Sequence, residues 1–239
     1  DEIVRAAAAV NPKIVVITTA GAAVAMPWLS QVRAVLHGWF PGQEAGAAFA
    51  DVLFGDVSPS GKLPVSFPKR LEDEPGFGNF PGTGGKVTYK EGILVGYRWY
   101  DTHKLEPLFP FGHGLSYTTF AYRDLAVSSW DAKLGVSVRL MVKNTGARRG
   151  ADVVQLYVHA ASSAIARPEQ ELRAFTKVNL APGEEREVTL KLPVRAFAYF
   201  DAKLPERGAW RTDPGTYEIR AASSSRDVRL RAPMTVPAK

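Results

Sequence analysis

The chain of 239 residues has no cysteine, three methionines and four histidines. Nowhere does it hold a run of about 18 apolar residues. Without cysteine there are no disulfides, no thiolate zinc sites and no thiol nucleophile. The histidines, His37, His103, His113 and His159, are scattered without metal-ligand spacing, so neither a metal nor a cofactor is expected. The missing apolar run excludes a spanning helix, and membrane insertion is not expected. No signal peptide opens the chain. Asp1 to Val10 (DEIVRAAAAV) reads instead as helix, with no methionine before it. The chain is therefore expected to start inside a longer protein, with its targeting information upstream. Ser66 and Ser116 sit in no nucleophile-elbow pattern, which leaves serine hydrolysis without support. Gly82-Thr83-Gly84-Gly85-Lys86 lacks the spacing of a phosphate loop and no helix is predicted after it.

What is present is ordinary globular composition, 46% hydrophobic and 23% charged, enough for a sizeable core. The net charge of +6 is uneven. Residues 1–120 hold 10 Lys+Arg against 11 Asp+Glu, and residues 121–239 hold 20 against 13. A nucleic-acid surface would gather such cations with stacking aromatics on one face. Here they alternate with apolar residues, as in Val136-Ser137-Val138-Arg139-Leu140 and Val228-Arg229-Leu230-Arg231. That is the pattern of solvated strand faces, and no nucleic-acid partner is expected.

Two kinds of organisation follow one another. Residues 14–19 (IVVITT), between Asn11-Pro12 and Gly21, predict a buried strand of a parallel sheet. Residues 34–39 predict a second strand. A helix is predicted from Gln43 to Phe54, ended by Gly55. This is α/β layering, and its sheet is too small to be a whole domain. Residues 58–110 are semi-extended and punctuated by prolines, with a Gly/Pro-rich acidic loop at 72–86. From about residue 122 strand-like runs near 134–143, 152–159, 172–180, 185–192, 217–222 and 227–231 alternate with turn signals at Asn144-Thr145-Gly146, Pro182-Gly183 and Asp213-Pro214-Gly215. They predict a β-sandwich. The expected fold class is α/β, a partial α/β sandwich over residues 1–121, followed by an all-β immunoglobulin-like sandwich over 122–239.

Several blocks carry a resemblance. Gly42-Gln43-Glu44-Ala45-Gly46 and the stretch from Ala50 to Pro68 (ADVLFGDVSPSGKLPVSFP) resemble the α/β-sandwich domain of family 3 glycoside hydrolases. So do Glu91 to Asp101 (EGILVGYRWYD) and Pro107 to Phe120 (PLFPFGHGLSYTTF). Lys143-Asn144-Thr145-Gly146, Val154 to Val158 (VQLYV), Arg167-Pro168, Glu171-Leu172 and Ala222 to Asp227 (ASSSRD) resemble the fibronectin type III-like domain that closes many such enzymes. The resemblance implies a retaining, exo-acting β-glycosidase, most simply a β-glucosidase, acting on oligosaccharides or β-glycosides. The alternatives are a β-xylosidase, or a carbohydrate-binding or scaffolding protein without catalysis. Retention needs two carboxyl groups about 5–5.5 Å apart. In the family the nucleophile is an Asp on a barrel that precedes this region, and the acid/base a Glu upstream of the strand matched by residues 14–19. Asp1 and Glu2 do not sit in that setting, so no catalytic residue is assigned to this chain. It is expected to need an N-terminal barrel-containing part as its partner and to be inactive alone. A secreted or periplasmic location is expected, with the signal region outside this chain.

Some residues invite a functional reading on their own. Glu44 and Asp51 lie seven apart on the predicted helix, about 10 Å of rise, too far for a retaining pair. Glu44 is expected in the first helical turn, stabilised by the macrodipole. Glu44 and Glu91 are the only candidates should an acid/base lie within this chain. Glu91, Arg98 and Asp101 flank Tyr97, Trp99 and Tyr100. The favoured reading is a strand-like segment with Arg98 paired to a carboxylate in a domain interface. Loop 72–90 carries Phe77, Phe80 and Tyr89, apolar groups that a purely solvated loop does not need. These three are the substrate-binding candidates, at the rim of a site built mostly by another domain. The sandwich is expected to be structural, with Trp130 and Trp210 too isolated in sequence to suggest a sugar platform.

Overall fold

The computed structural model describes residues 1–203 and 208–238. Helix α1 (Glu2–Val10) leads to strand β1 (Val15–Thr18), which pairs in parallel with β2 (Ala34–His37) in the register Val15 to Ala34. Helix α2 (Ala45–Phe54) follows. Gly55 ends it at φ +85°, where its N–H reaches the carbonyls of Asp51 and Val52. Only a residue that tolerates the left-handed region closes a helix in this way. Phe67 is buried with Met26 and Trp28, and Val16, Val35, Leu63 and Phe109 pack around them. The strand predicted at 14–19 is thus half buried rather than buried. Val16 faces this cluster, while Val15 and Ile17 stay exposed, because among the described residues the sheet has two strands and one covered face. Among the described residues, no helix is long and apolar enough to cross a membrane.

From Phe120 the chain is a sandwich. One sheet holds β3 (Phe120–Val127), β4 (Val136–Asn144) and β7 (Glu185–Leu192). The other has the order β11-β10-β5-β6, from β5 (Gly150–Ala160), β6 (Glu171–Leu180), β10 (Gly215–Ser224) and β11 (Asp227–Val236). A small hairpin, β8 (Tyr199–Asp201) with β9 (Ala209–Arg211), stands beside them. Alternation decides which face is buried. In β4, Val136, Val138, Leu140 and Val142 point inward and Arg139 outward. They meet Val154, Leu156, Ile219, Leu180 and Phe197 in one core. Trp130 packs edge-on against Phe197, ring centroids 5.2 Å apart, so this indole belongs to the core. Aromatic pairs of this kind add about 0.5–1.5 kcal/mol beyond burial.

The middle of β5 is buried on both faces, Gln155 and Tyr157 included. The first part of the chain covers its outer face. Gln155 donates to the carbonyls of Gly112 and Ser223, and Tyr157 meets the edge of Tyr97. Lys62 reaches Asp152 at 3.0 Å, and Arg148 donates to the Gly55 carbonyl at 2.7 Å.

Glu171 lies in the same interface, 2.8 Å from Arg167, 2.7 Å from Arg173 and 3.3 Å from Arg98. Burial pushes its carboxyl upward, but the three guanidiniums outweigh burial and hold it below the usual range. A carboxylate whose folded pKa is depressed contributes stability above its unfolded pKa and loses it as pH falls through the folded one. Glu171→Gln should therefore destabilise the protein at neutral pH and flatten the acid limb below the ordinary value of 4.5. Urea midpoints of both forms, taken at neutral pH and at about pH 3.5, check this. Equal spacing of the two curves at both pH values would contradict it.

Candidate functional site at the loop over residues 72–90

A short 3-10 turn at Leu71–Asp73 starts the loop, and Arg70 fixes it by a 2.9 Å bond to Asp73. Turn bonds follow, from Phe77 N–H to the Glu74 carbonyl and from Phe80 N–H to the Gly76 carbonyl. Thr83 and Lys86 exchange backbone bonds across a tight turn. Gly82 (φ +93°) has no alternative there, since a Cβ would come within 2.1 Å of the Lys86 carbonyl oxygen. Past the loop the chain runs to Gly96 (φ +60°), which starts helix α3 (Tyr97–Thr102).

The three aromatic candidates stand out from this frame. Phe77 is 51% exposed, Phe80 79% and Tyr89 79%. Ile93 and Val95, further along, are exposed too. Large apolar side chains exposed in such number along one segment point to a surface that meets a partner or ligand. The carboxylates at the base are occupied, Asp73 by Arg70 and Glu74 by the Tyr100 hydroxyl at 2.9 Å. Burial, then the Glu74 carboxylate, drives the Tyr100 phenol far above its usual range. What stands out on the loop is thus its exposed aromatic faces. Aromatic faces can stack on the apolar face of a sugar ring.

The other sequence candidates fall into structural places. Glu44 is the residue before α2 rather than a member of its first turn. Its Oε1 accepts a 3.4 Å bond from the Gln43 side chain. Asp51 lends its backbone carbonyl to the end of α2. Glu91 begins a turn closed by Leu94. Residues 97–102 form a helix and not a strand-like segment. The β-favouring aromatics of YRWYD are overruled by packing. Tyr97 stacks on Phe111 at 4.8 Å, Arg98 pairs with Glu171, and Tyr100 is 1% exposed. Asp101 accepts from Arg226 and Gln170. The Asp101 carboxyl is raised, by burial first, with the Arg226 charge opposing. The cluster therefore packs between the two parts of the chain. Two open depressions of about 410 and 350 Å³ lie on the sandwich, bordered by Arg123, Arg139 and Glu187 and by Ser163 and Asp213. Neither borders the loop.

The sequence reading missed one arrangement. Trp210 is not isolated: the β8–β9 hairpin sets it 5.6 Å from Phe200, and Arg195 lies 4.0 Å over its ring. Strands three residues long give almost no periodic signal, so nothing in the sequence announced the pair.

Comparison with known proteins places the whole chain. Residues 1–117 match the glycosyl hydrolase family 3 C-terminal domain and residues 152–225 the fibronectin type III-like domain. Thermostable β-glucosidase B of Acetivibrio thermocellus is 46% identical over 238 residues, 99% of this chain and 31% of that protein. A β-glucosidase of Rhizobium radiobacter is 47% identical over 242 residues, 99% of this chain and 29% of that protein. The crystal structure of a Bifidobacterium adolescentis β-glucosidase of the same family superposes with a TM-score of 0.93 at 42% identity, over 98% of this chain and 34% of that one. The chain thus spans about a third or less of the relatives it matches. With both family domains in order, and this likeness running from end to end, the chain belongs to glycoside hydrolase family 3, matching its C-terminal α/β domain followed by the fibronectin type III-like domain.

Proposed function

We propose that this chain is the part of a retaining, exo-acting β-glucosidase that braces the active site and supplies one side of its entrance. The reaction is hydrolysis of terminal β-linked glucose from oligosaccharides or glycosides, by carboxylates that lie outside residues 1–239. The β-glucosidases similar to it along its length support the activity. The observation that carries the local role is the three exposed aromatics on a loop whose base is fastened to Tyr100. Phe77, Phe80 and Tyr89 stack on the sugar beyond the bond to be cleaved. A secreted or periplasmic location belongs to this reading and rests on the substrate class alone.

The test compares the enzyme that carries this chain with its Phe77→Ala and Phe80→Ala forms on an aryl β-glucoside, an aryl β-xyloside and a glucose disaccharide. Turnover of the glucoside above the xyloside is expected. In the variants KM for the disaccharide should rise roughly tenfold, as losing about 1.4 kcal/mol implies, with little change in kcat or melting temperature. A lowered melting temperature with unchanged kinetics would make these rings mere packing against a neighbouring domain. No turnover by the intact protein would remove the catalytic reading altogether.

A further inference from the structure

Helix α3 is six residues long, too short to hold its own position in water. Its bonds to the rest of the chain run two ways. Toward the sandwich, the Tyr97 hydroxyl accepts the Leu172 N–H at 2.7 Å and Arg98 pairs with Glu171. Asp101 accepts from Arg226 at 2.7 Å and from Gln170 at 3.0 Å. Gln170 is itself fixed by the Ser225 carbonyl and Arg220. Toward the loop, Tyr100 donates to Glu74 at 2.9 Å. Neighbouring residues of one helical turn thus grip the sandwich with Asp101 and the base of the aromatic loop with Tyr100.

We propose that Asp101 and Tyr100 are positioning residues through which the sandwich sets the place of Phe77 and Phe80. This rests on the substrate role given to the loop above. Asp101 holds α3 on Arg226, in the turn between β10 and β11, and on Gln170, just before β6. Tyr100, buried in between, passes that position to Glu74, three residues before Phe77. A ring that only filled space would not need the hydroxyl, and burying a hydroxyl without a partner is unfavourable. Here its partner is a carboxylate, which gives the strongest ordinary kind of bond. The sandwich then has a task in substrate binding without touching substrate.

The experiment uses the whole enzyme and two readouts, amide hydrogen exchange over residues 74–82 and KM for a glucose disaccharide. The forms are wild type, Tyr100→Phe, Asp101→Asn, Glu74→Ala and Glu74→Gln. Tyr100→Phe and Glu74→Ala should each speed exchange in the loop roughly tenfold, the loss of one charged hydrogen bond. Asp101→Asn should do so through α3, and exchange in β4 and β5 should stay as in wild type. Glu74→Gln still offers an oxygen to Tyr100 and should restore slow exchange. KM should rise in the same three forms, with kcat on an aryl glucoside unchanged. Unchanged loop exchange in Tyr100→Phe would overturn the proposal. Faster exchange in Tyr100→Phe but not in Asp101→Asn would overturn the sandwich's part in it. Faster exchange in all three with unchanged KM would support the positioning link and overturn the substrate role of the loop instead.

Discussion

Asp152→Ala is expected to destabilise the protein by about 3–5 kcal/mol, the range for stripping one partner from a buried ion pair. The pair is Lys62–Asp152, 3.0 Å apart, with side chains 13% and 7% exposed. Asp152 is the busier member. Its Oδ1 also takes the Val153 N–H, and its Oδ2 accepts the Tyr122 hydroxyl at 2.7 Å. Burial, and then the Asp152 charge, puts the Tyr122 phenol far above its usual range, so it stays a donor. Losing the carboxylate leaves both a buried ammonium and a buried hydroxyl without it. Lys62 keeps only the Gly114 carbonyl and the Ser223 hydroxyl. Lys62→Met removes less, because Asp152 retains Tyr122 and its backbone donor. The order of urea midpoints should be wild type, then Lys62→Met, then Asp152→Ala. The double variant should lie close to Asp152→Ala rather than at the sum, since contacting residues couple by about 0.5–3 kcal/mol. Strict additivity would mean that the two groups do not share one network.

This pair also shows where sequence reasoning stopped. Residues 62 and 152 lie in different parts of the chain, and Lys62 meets Ser223 across 161 positions. No local pattern marks such a partner. Periodicity did mark the elements that bury one face. The predicted strands 134–143 and 185–192 correspond to Val136–Asn144 and Glu185–Leu192, and the helix predicted to end at Phe54 does end there, capped by Gly55. It failed where the period breaks or the element is short. In β3 the pairing slips between Arg123 and Ala126, with Asp124 at φ +57°, and the alternation that would announce a strand is lost. In α3, Gly96 at φ +60° and tertiary bonds impose a helix on aromatics that favour strands. The candidate site was legible as composition, because glycines and prolines with three aromatics between two well-matched blocks already set loop 72–90 apart. Its fastening was not, since Glu74 and Tyr100 stand 26 positions apart.

The turn read as Asn144-Thr145-Gly146 turns out to hide the second large effect. Asn144 is fully buried, 0% exposed. Its side-chain oxygen accepts the Thr118 hydroxyl at 2.6 Å and the Gly146 N–H at 3.1 Å. Its side-chain nitrogen donates to the carbonyls of Arg148 at 2.7 Å and Leu180 at 3.0 Å. One amide therefore joins the end of β4, the turn after it, the end of β6 and the segment that leads into β3. Asn144→Ala leaves these groups without their partner, each buried orphan costing roughly 1–3 kcal/mol, so a loss above about 3 kcal/mol is expected. Asn144→Asp separates the two halves of the amide. It keeps the acceptor for Thr118 and Gly146 but turns the donor toward Arg148 and Leu180 into a second acceptor. A charged carboxylate facing two carbonyls is unfavourable, so its folded pKa should stand above the unfolded one. The sign then follows: the stability of this variant is greatest below the unfolded carboxylate pKa and is lost as pH rises through the raised folded value. Melting curves of Asn144→Asp should therefore approach wild type in mild acid and fall away toward neutrality, while those of Asn144→Ala remain low at both. If Asn144→Ala melted within a degree or two of wild type, Thr118, Gly146, Arg148 and Leu180 would have to find other partners, and the amide would not be the brace of this corner.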